Sequence, residues 1–281
     1  MLETSVLRLS AFTVDPAGGN PAGVVIGASH PSDLEMQTIA ARVGYSETAF
    51  LAPVGDRAYR VRYFSPLAEV PFCGHATIAA AVALAERSGP GSFRFDTNNG
   101  PVAIDTRPTS EGLIEATLTS VPPRVEQAAD ELVDVALSCL DWTRGELDPR
   151  LPPARAFAGA WHLVLAVRER ATLAGMRYDF EKLRSLMLAE DLTTLQLVWR
   201  AGPTTYRVRD PFPVGGVVED PATGAGAAAF GAYLRAYGLV VAPGTITILQ
   251  GEEIGRPSRL RVDVVPDQAG INVSGTAVPI D

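Results

Sequence analysis

Residues 59–66 of the chain read YRVRYFSP, and residues 206–213 read YRVRDPFP. Each copy continues through a glycine-containing loop into an Ala-Thr pair and an alanine-rich segment, at 76–84 and at 222–230. The two tetrapeptides YRVR begin 147 residues apart, and the two Ala-Thr pairs begin 146 residues apart. A repeat of two units is typical of paired lobes, because a solenoid needs three or more repeats. The sequence therefore predicts two copies of one fold, with a ligand in the cleft between them.

Hydrophobic periodicity predicts helices and strands in both halves of the chain. In the first half the helices lie near 33–43 and 75–87, and the strands at 4–12, 24–26, 47–51, 59–64, 93–95, 102–105 and 113–118. In the second half the helices lie near 126–140, 178–189 and 223–237, the strands at 162–167, 193–199, 204–209, 245–250 and 258–265, and a loop at 210–221. We predict an α+β fold of two similar, pseudo-symmetric lobes. Each is a curved, mostly antiparallel sheet wrapped around a central helix.

Local signals mark where these parts begin and end. Ser32 and Glu35 form a capping-box pattern, which predicts the start of the first helix. The Pro122-Pro123 pair marks the boundary between the lobes. We therefore predict a first lobe over 1–121 and a second lobe over 122–267, with the last residues, 268–281, crossing back to the first.

Composition narrows the classes of partner. The chain has 281 residues, 47% of them hydrophobic, a net charge of −8 and a pI of about 5.0. This acidity argues against binding to nucleic acid or to anionic membranes, which require a basic surface. Two cysteines, Cys73 and Cys139, make neither a disulfide framework nor a zinc site. The sequence shows no signal peptide and no apolar run of membrane-spanning length, so we expect a cytoplasmic protein.

The two alanine-rich helices begin with segments suited to anions. Residues 73–77 (CGHAT) open the first helix, and residues 219–226 (EDPATGAG) open the second. A helix start presents backbone N–H groups and a partial positive charge. Gly74, Gly224 and Gly226 allow a ligand to approach the backbone closely. The pattern favours a small carboxylate substrate or an enolate-like intermediate. The alternative is that the polar residues here are helix caps and the glycines only make turns.

Glu47 is a carboxylate that the repeat does not duplicate. It lies between the first predicted helix and the next strand, and Thr193 occupies the corresponding position 146 residues later. One acid on a duplicated scaffold is typical of an asymmetric general acid/base. The alternative is an exposed glutamate at a strand edge.

Other polar residues allow two interpretations each. His75 stands where it could donate a hydrogen bond or a proton at the first helix start, and Asp220 where it could orient His75 or accept a proton. The alternative for His75 is a purely structural role, and the alternative for Asp220 is a role as a helix N-cap. Cys73 is either a thiolate whose pKa is lowered by the helix start or a small buried residue. We predict that Cys139 and His162 belong to the core, with a reach into the cleft as the alternative for His162.

Five short motifs in order carry a resemblance that covers the whole chain. They are Gly19-Asn20-Pro21, Ser46-Glu47-Thr48, and the segments 71–77, 219–224 and 250–257. With these motifs the chain resembles the PhzF family of phenazine-biosynthesis-like isomerases, which share the diaminopimelate-epimerase type of fold.

The resemblance implies two lobes with the active site between them. It implies an enzyme without metal or cofactor, commonly a homodimer, acting on a small carboxylate substrate. In the characterised isomerase a glutamate moves a proton between carbons of dihydro-3-hydroxyanthranilate, and that role falls on Glu47. The supporting histidine and aspartate of the family fall on His75 and Asp220. The substrate-binding positions implied are Asn20, Ser46, Cys73, Gly74, Thr223, Gly224 and Ala225.

The chain departs from the family pattern at Ala225, where a serine is usual. A hydroxyl for substrate binding or proton relay is therefore missing, although the backbone N–H groups remain. The related racemases use two opposed cysteines, and here Cys73 matches the first while Thr223 stands near the second. We predict a cofactor-independent isomerase similar to dihydro-3-hydroxyanthranilate isomerase. The alternatives are a two-base epimerase using Cys73 and a non-catalytic protein that binds a carboxylate or a partner.

Overall fold

The computed structural model describes residues 5–280 and divides the chain into two compact units. The first lobe comprises the chain up to Thr119 together with the segment from Ser274 onward. The second lobe comprises Ser120–Val273. Across residues 5–280, no helix combines the length and the apolar character needed to cross a membrane.

Within residues 5–280, the first lobe contains two helices and nine strands. The last strand begins two residues before the lobe boundary. The helices are α1 (Asp33–Val43) and α2 (Gly74–Ser88), and the strands are β1 (Leu7–Ala11), β2 (Asn20–Ile26), β3 (Glu47–Gly55), β4 (Ala58–Phe64), β5 (Glu69–Val70), β6 (Gly91–Thr97), β7 (Gly100–Pro108), β8 (Ile114–Thr119) and β17 (Asn272–Pro279).

Eight of these strands close into a ring around α2. Pairing runs β1–β2–β3–β4–β6–β7–β8, and β17 pairs with both β8 and β1. The β2–β3 and β4–β6 pairs are parallel, and β5 adds to β4 outside the ring. Every residue of α2 from His75 to Ala85 is buried, and most are alanine. A helix that is apolar all round must be enclosed, and its small side chains let the strands approach closely.

The turn after α1 delivers the residues that open β3. Ser32 Oγ accepts from the Glu35 amide at 3.3 Å, and Glu35 Oε2 accepts from the Ser32 amide at 2.9 Å, which confirms the capping box. Gly44 ends the helix in the left-handed conformation and donates to the Ala40 carbonyl. This C-cap turns the chain directly into Ser46 and Glu47.

The second lobe contains four α-helices, three short 3-10 helices and eight strands. The helices are α3 (Asp130–Leu140), α4 (Arg170–Ala174), α5 (Phe180–Ala189) and α6 (Gly224–Ala236), and the strands are β9 (Arg124–Gln127), β10 (Ala154–Phe157), β11 (Trp161–Val167), β12 (Thr194–Arg200), β13 (Thr205–Pro211), β14 (Glu219–Asp220), β15 (Gly244–Gln250) and β16 (Ser258–Val264).

The second sheet is again built around an alanine-rich helix. Its strand order is β9–β10–β11–β12–β13–β15–β16, with β11–β12 and β13–β15 parallel and the other pairs antiparallel. The short β14 pairs with the end of β13. Helix α6 is buried from Gly226 to Leu234 and contacts β9–β12 and β16. Helices α3 and α5 pack together in a core cluster that includes Cys139, as predicted.

Two sequence predictions of secondary structure need correction, and several elements were not predicted. The helix predicted over 126–140 begins at Asp130, because residues 124–127 pair with β10 as a strand. The loop predicted over 210–221 is shorter, since β13 runs to Pro211 and β14 folds back on it. Strand β17 was not predicted, because its partners β1 and β8 lie far away in the sequence.

Candidate active site

Five of the predicted site residues come together at the start of α2. Asn20 and Glu47 are the first residues of the parallel neighbours β2 and β3, where Ala22 pairs with Glu47. Cys73 is the N-cap of α2, and His75 is the second residue of that helix. The parallel register therefore brings the starts of two strands and one helix to the same place. Ser46 stands beside Glu47 and completes the group.

Glu47, Cys73 and His75 contact one another directly. Glu47 Oε2 lies 3.5 Å from Cys73 Sγ and 3.4 Å from His75 Nε2. Cys73 Sγ lies 3.3 Å from His75 Nδ1. Cys73 and His75 are buried, whereas the Glu47 side chain keeps 17% of its surface exposed. The carboxylate is thus mostly withdrawn from water but still accessible to a small ligand.

The imidazole of His75 is held from both sides. Asn20 Nδ2 lies 3.2 Å from Nδ1, and Ser46 Oγ lies 3.3 Å from Nε2. With the amide nitrogen of Asn20 donating to Nδ1, the ring proton sits on Nε2 and faces Glu47 and Ser46. In that tautomer His75 can donate a proton toward Glu47 or toward a ligand beside it.

The backbone at the start of α2 is anchored from within the ring of strands. Thr77 Oγ1 donates to the Cys73 carbonyl at 2.7 Å and lies 2.7 Å from the Tyr63 hydroxyl. Tyr63 is fully buried, and burial raises the pKa of its phenol well above the usual range. These contacts hold Cys73 and His75 in place independently of any ligand.

The start of α6 carries the predicted second-lobe residues. Thr223 is the N-cap, and Gly224 and Ala225 are the first two helical residues. The Thr223 hydroxyl donates to Asp220 Oδ2 at 2.7 Å instead of capping the helix. Thr223 therefore occupies the N-cap position, but its side chain does not cap the helix. Asp220 is half-buried, like Gly224 and Ala225.

Gln250 fixes the turn that leads into α6. Its Oε1 accepts from the Thr223 amide at 3.2 Å, and its Nε2 donates to the Asp220 carbonyl at 2.8 Å and to Thr223 Oγ1 at 3.1 Å. Gln250 is buried at the end of β15. The sequence contained it in a family motif, but reasoning from the sequence gave it no role.

Asp210 is a buried carboxyl group that sequence analysis missed. It is fully buried, and it pairs in register with Asp220 across β13 and β14. The carboxamide of Gln196 lies 3.1 and 3.2 Å from its two carboxyl oxygens. Burial, reinforced by the charges of Asp220 and Glu219, raises the pKa of Asp210 well above its usual value. Asp210 occupies the position in the second YRVR copy that Tyr63 occupies in the first, 147 residues earlier. This difference between the two copies is the sequence signal that could have identified Asp210.

Gly226 also makes room for buried side chains, a role that the sequence did not indicate. A Cβ atom at this position would collide with Gln196 Oε1 and lie 3.1 Å from Asp210 Oδ2. The glycine therefore makes room for the buried pair of Gln196 and Asp210 beneath the first turn of α6.

Two other polar residues have structural positions. The Arg209 guanidinium donates from Nε to both Glu219 oxygens at 3.1 Å, and both side chains are buried, so the pair ties β14 to β13. His162 is fully buried, as predicted, with Nδ1 2.8 Å from Thr194 Oγ1. Burial lowers the pKa of His162 to about 3.

Comparison with known proteins identifies the family of the chain. The family model described as phenazine biosynthesis-like protein matches residues 9–281. The chain belongs to this family. The uncharacterized isomerase YfhB of Bacillus subtilis is 31% identical over 298 residues, covering 99% of this chain and 97% of YfhB. The trans-2,3-dihydro-3-hydroxyanthranilate isomerase of Pseudomonas chlororaphis is 30% identical over 275 residues, covering 96% of this chain and 95% of that enzyme.

A solved structure gives the same result for the fold. The crystal structure of a Bacillus anthracis phenazine biosynthesis protein of the PhzF family superposes with a TM-score of 0.86 at 28% identity, covering 98% of this chain and 96% of that one. The resemblance to the PhzF family is therefore confirmed, as is the α+β fold. The chain is an enzyme of the isomerase class.

Proposed function

We propose that the chain is a cofactor-independent isomerase that moves a proton within a small carboxylate-bearing substrate. Glu47 is the proposed acid/base. The observation that carries the proposal is the position of Glu47 Oε2, 3.4 Å from His75 Nε2 and 3.5 Å from Cys73 Sγ in a largely buried group. A positioned carboxylate that is partly withdrawn from water is suited to take a proton from carbon.

The proposed step is a proton shift between two carbons. The Glu47 carboxylate takes a proton from one carbon, and the electron pair left behind spreads through the conjugated system toward the substrate carboxylate. His75, held by Asn20 and Ser46, donates a hydrogen bond that keeps Glu47 oriented. The Glu47 carboxyl group, whose side chain is 17% exposed, exchanges its proton with water and delivers a proton to the second carbon, so that no net proton, electron or group is gained or lost.

A substrate carboxylate is negatively charged, so it binds best where hydrogen-bond donors and partial positive charge are present. The first turns of α2 and α6 supply backbone N–H groups and the positive end of a helix dipole. We propose that each helix start is such a site, with Asp220 and Thr223 beside the start of α6. The fixed turn around Gln250 supports this role, since it positions the Thr223-Gly224 backbone before any ligand arrives. The activity named for the Pseudomonas chlororaphis relative makes trans-2,3-dihydro-3-hydroxyanthranilate the first compound to test.

A second candidate is an epimerase in which Cys73 takes part in proton transfer. Its support is the thiol itself, which lies 3.5 Å from Glu47 Oε2 and 3.3 Å from His75 Nδ1. A thiolate at a helix start beside an imidazole is reactive enough for such chemistry.

Turnover of a panel of small unsaturated and amino carboxylates distinguishes these candidates. We expect Glu47→Gln to lower the rate of product formation by about 10²–10⁴-fold, the usual contribution of a general acid/base. Cys73→Ala should leave most of the activity. Glu111→Gln, which changes an exposed carboxylate in the turn between β7 and β8, is the matched control. Full activity in Glu47→Gln with loss in Cys73→Ala would contradict the isomerase proposal and support the epimerase.

A further inference from the structure

We propose that two ion pairs, Arg62–Glu69 and Arg209–Glu219, are positioning residues that hold the chain segments entering α2 and α6. Each pair joins a strand that carries YRVR to the two-residue strand that precedes the helix. Arg62–Glu69 is the first pair, and Arg209–Glu219 is the second pair. The hold on the backbone follows from the contacts within each lobe, whereas its consequence for turnover rests on the proposed function of the helix starts.

The two pairs occupy the same place in the two copies of the fold. Phe64 of β4 pairs in register with Glu69 of β5, and Pro211 of β13 pairs in register with Glu219 of β14. In both copies the arginine lies two residues before the paired residue, and the glutamate lies four residues before the helix N-cap. The loop between the paired residues is three residues longer in the second copy, so the repeat offset of 146 or 147 residues does not align the glutamates.

The first pair connects β5 to three other elements of its lobe. Arg62 donates to the two carboxylate oxygens of Glu69, from Nε at 2.7 Å and from Nη2 at 2.6 Å. Its Nη1 donates to Asp33, the first residue of α1, at 2.6 Å. Asn98, in the turn between β6 and β7, donates to Glu69 Oε1 at 2.8 Å. A two-pronged contact fixes orientation as well as distance, so Glu69 has one defined position.

The second pair is buried and has further partners on α4. Arg209 Nε donates to both Glu219 oxygens at 3.1 Å, and Nη2 donates to Oε2 at 2.5 Å. Nη1 donates to the carbonyls of Ala174 at 2.9 Å and Leu173 at 3.4 Å. Burial raises the pKa of Glu219, whereas the hydrogen bonds from Arg209 favour its charged form. Each guanidinium nitrogen has an acceptor, so the pair is a fixed connection between β13, β14 and α4.

The segments that the pairs hold lead directly to the helix starts. Strands β5 and β14 each contribute only two residues to pairing with the preceding strand, so backbone hydrogen bonds alone hold them weakly. The chain then reaches Cys73 and His75 in the first lobe, and Asp220 and Thr223 in the second. A displacement of about 1 Å caused by a change away from the chemistry can lower a rate by about 100-fold. The pairs therefore set the positions on which the proposed reaction depends.

Glu69→Gln tests the first pair, with Asp33→Asn as the matched control. Both variants remove one carboxylate from the Arg62 guanidinium, but Asp33 lies on α1 and not on the segment entering α2. With trans-2,3-dihydro-3-hydroxyanthranilate or a panel carboxylate that turns over, Glu69→Gln should lower kcat by about 10–100-fold and change KM by less than about 2-fold. Asp33→Asn should keep both constants, because an exposed ion pair contributes little.

Glu219→Gln tests the second pair, with Asp263→Asn as the control. Asp263 pairs with Arg261 at 3.0 Å within β16, in the same lobe but outside the segment entering α6. Because the start of α6 is proposed to bind a carboxylate, Glu219→Gln should raise KM by about 5-fold or more. If Glu219→Gln does not fold, Glu219→Asp keeps the charge, shortens the reach and should raise KM in the same direction.

All constants are measured at a temperature at which circular dichroism shows every variant folded. A purely structural role of the pairs would then leave kcat and KM unchanged. Equal kcat in Glu69→Gln and Asp33→Asn would therefore overturn the positioning role of the first pair, and an unchanged KM in Glu219→Gln that of the second.

Amide hydrogen exchange tests the hold on the backbone without any substrate. Residues 72–77 in Glu69→Gln and residues 222–227 in Glu219→Gln should exchange about 10-fold faster than in the unmodified chain, because local opening becomes easier. The two control variants should exchange at the unmodified rate in these segments. Unchanged exchange in Glu69→Gln and Glu219→Gln would overturn the proposal. Faster exchange in a chain that turns over no compound of the panel would support the two pairs and contradict only the proposed function.

Discussion

His162 provides a quantitative test of how the core of the second lobe responds to acid. Its imidazole is fully buried beside Thr194, and burial lowers its pKa from 6.5 to about 3. Its Nε2 has no hydrogen-bond partner among residues 5–280. Below pH 6.5 the imidazole is therefore protonated in the unfolded chain but stays neutral in the folded chain. The free energy of unfolding consequently falls as the pH falls toward 3.

The size of the effect follows from the two pKa values. At pH 7.5 the imidazole is neutral in both states and its contribution is close to zero. At pH 5 the unfolded state gains about 2 kcal/mol from protonation, since each pH unit below its pKa adds about 1.4 kcal/mol. This loss is a large fraction of the 5–15 kcal/mol that is typical of folded proteins.

Urea unfolding at pH 7.5, 6 and 5 measures this contribution. The variant His162→Asn keeps a donor near Thr194 but does not titrate, so the free energy of unfolding should fall by about 2 kcal/mol less between pH 7.5 and 5 than in the unmodified chain. The cavity that the smaller side chain leaves costs the same at every pH and cancels in this comparison. Thr194→Val keeps the imidazole and should keep the acid sensitivity. Equal pH dependence in His162→Asn and the unmodified chain would refute the reasoning.

Three further predictions concern the start of α6. The pKa of Asp210 is raised in the folded state, so the carboxyl group contributes fully to stability below the pKa of the unfolded chain, and this contribution is lost as the pH rises. The free energy of unfolding of Asp210→Asn, measured by urea unfolding, should therefore increase relative to that of the unmodified chain between pH 4 and pH 8. Gly226→Ala should lower the free energy of unfolding by about 1–3 kcal/mol, because the new Cβ meets Gln196. Gln250→Leu should cost about 1–3 kcal/mol in the same assay, because it removes the hydrogen bonds that Gln250 makes with the Thr223 amide and the Asp220 carbonyl.

Each of these three has an outcome that would contradict it. A stability difference for Asp210→Asn that stays constant with pH would mean that the carboxyl group does not carry its proton in the folded state. Unchanged unfolding midpoints in Gly226→Ala or Gln250→Leu would mean that the first turn of α6 is not held by these contacts.

The repeat and the local signals predicted much of the fold. The capping box at Ser32 gave the start of α1, and the alanine-rich segments gave both buried helices. These features depend on residues close together in the sequence. Strand β17 could not be predicted, since its place is set by partners more than 150 residues earlier. The start of α3 was placed too early because β9 has a weak pattern and depends on pairing with β10.

The same distinction between local and long-range contacts applies to the candidate site. Glu47 was predicted because the repeat does not duplicate it, and His75 because it stands at a helix start. The structure brings both into one group with Asn20, Ser46 and Cys73. That contact depends on the parallel register of β2 and β3, which a single sequence does not specify. The buried group of Asp210, Gln196 and Gln250 was missed for a similar reason, because its members come from three strands.

Solvent deuterium incorporation tests the central claim most directly. The unmodified chain and Glu47→Gln are incubated in D₂O with trans-2,3-dihydro-3-hydroxyanthranilate or with a carboxylate from the panel that binds, and the product is read by mass spectrometry. We predict deuterium at the carbon that receives the proton with the unmodified chain and with Glu111→Gln, and none with Glu47→Gln although the compound still binds. Deuterium incorporation by Glu47→Gln at the unmodified rate would contradict the assignment of Glu47 as the acid/base.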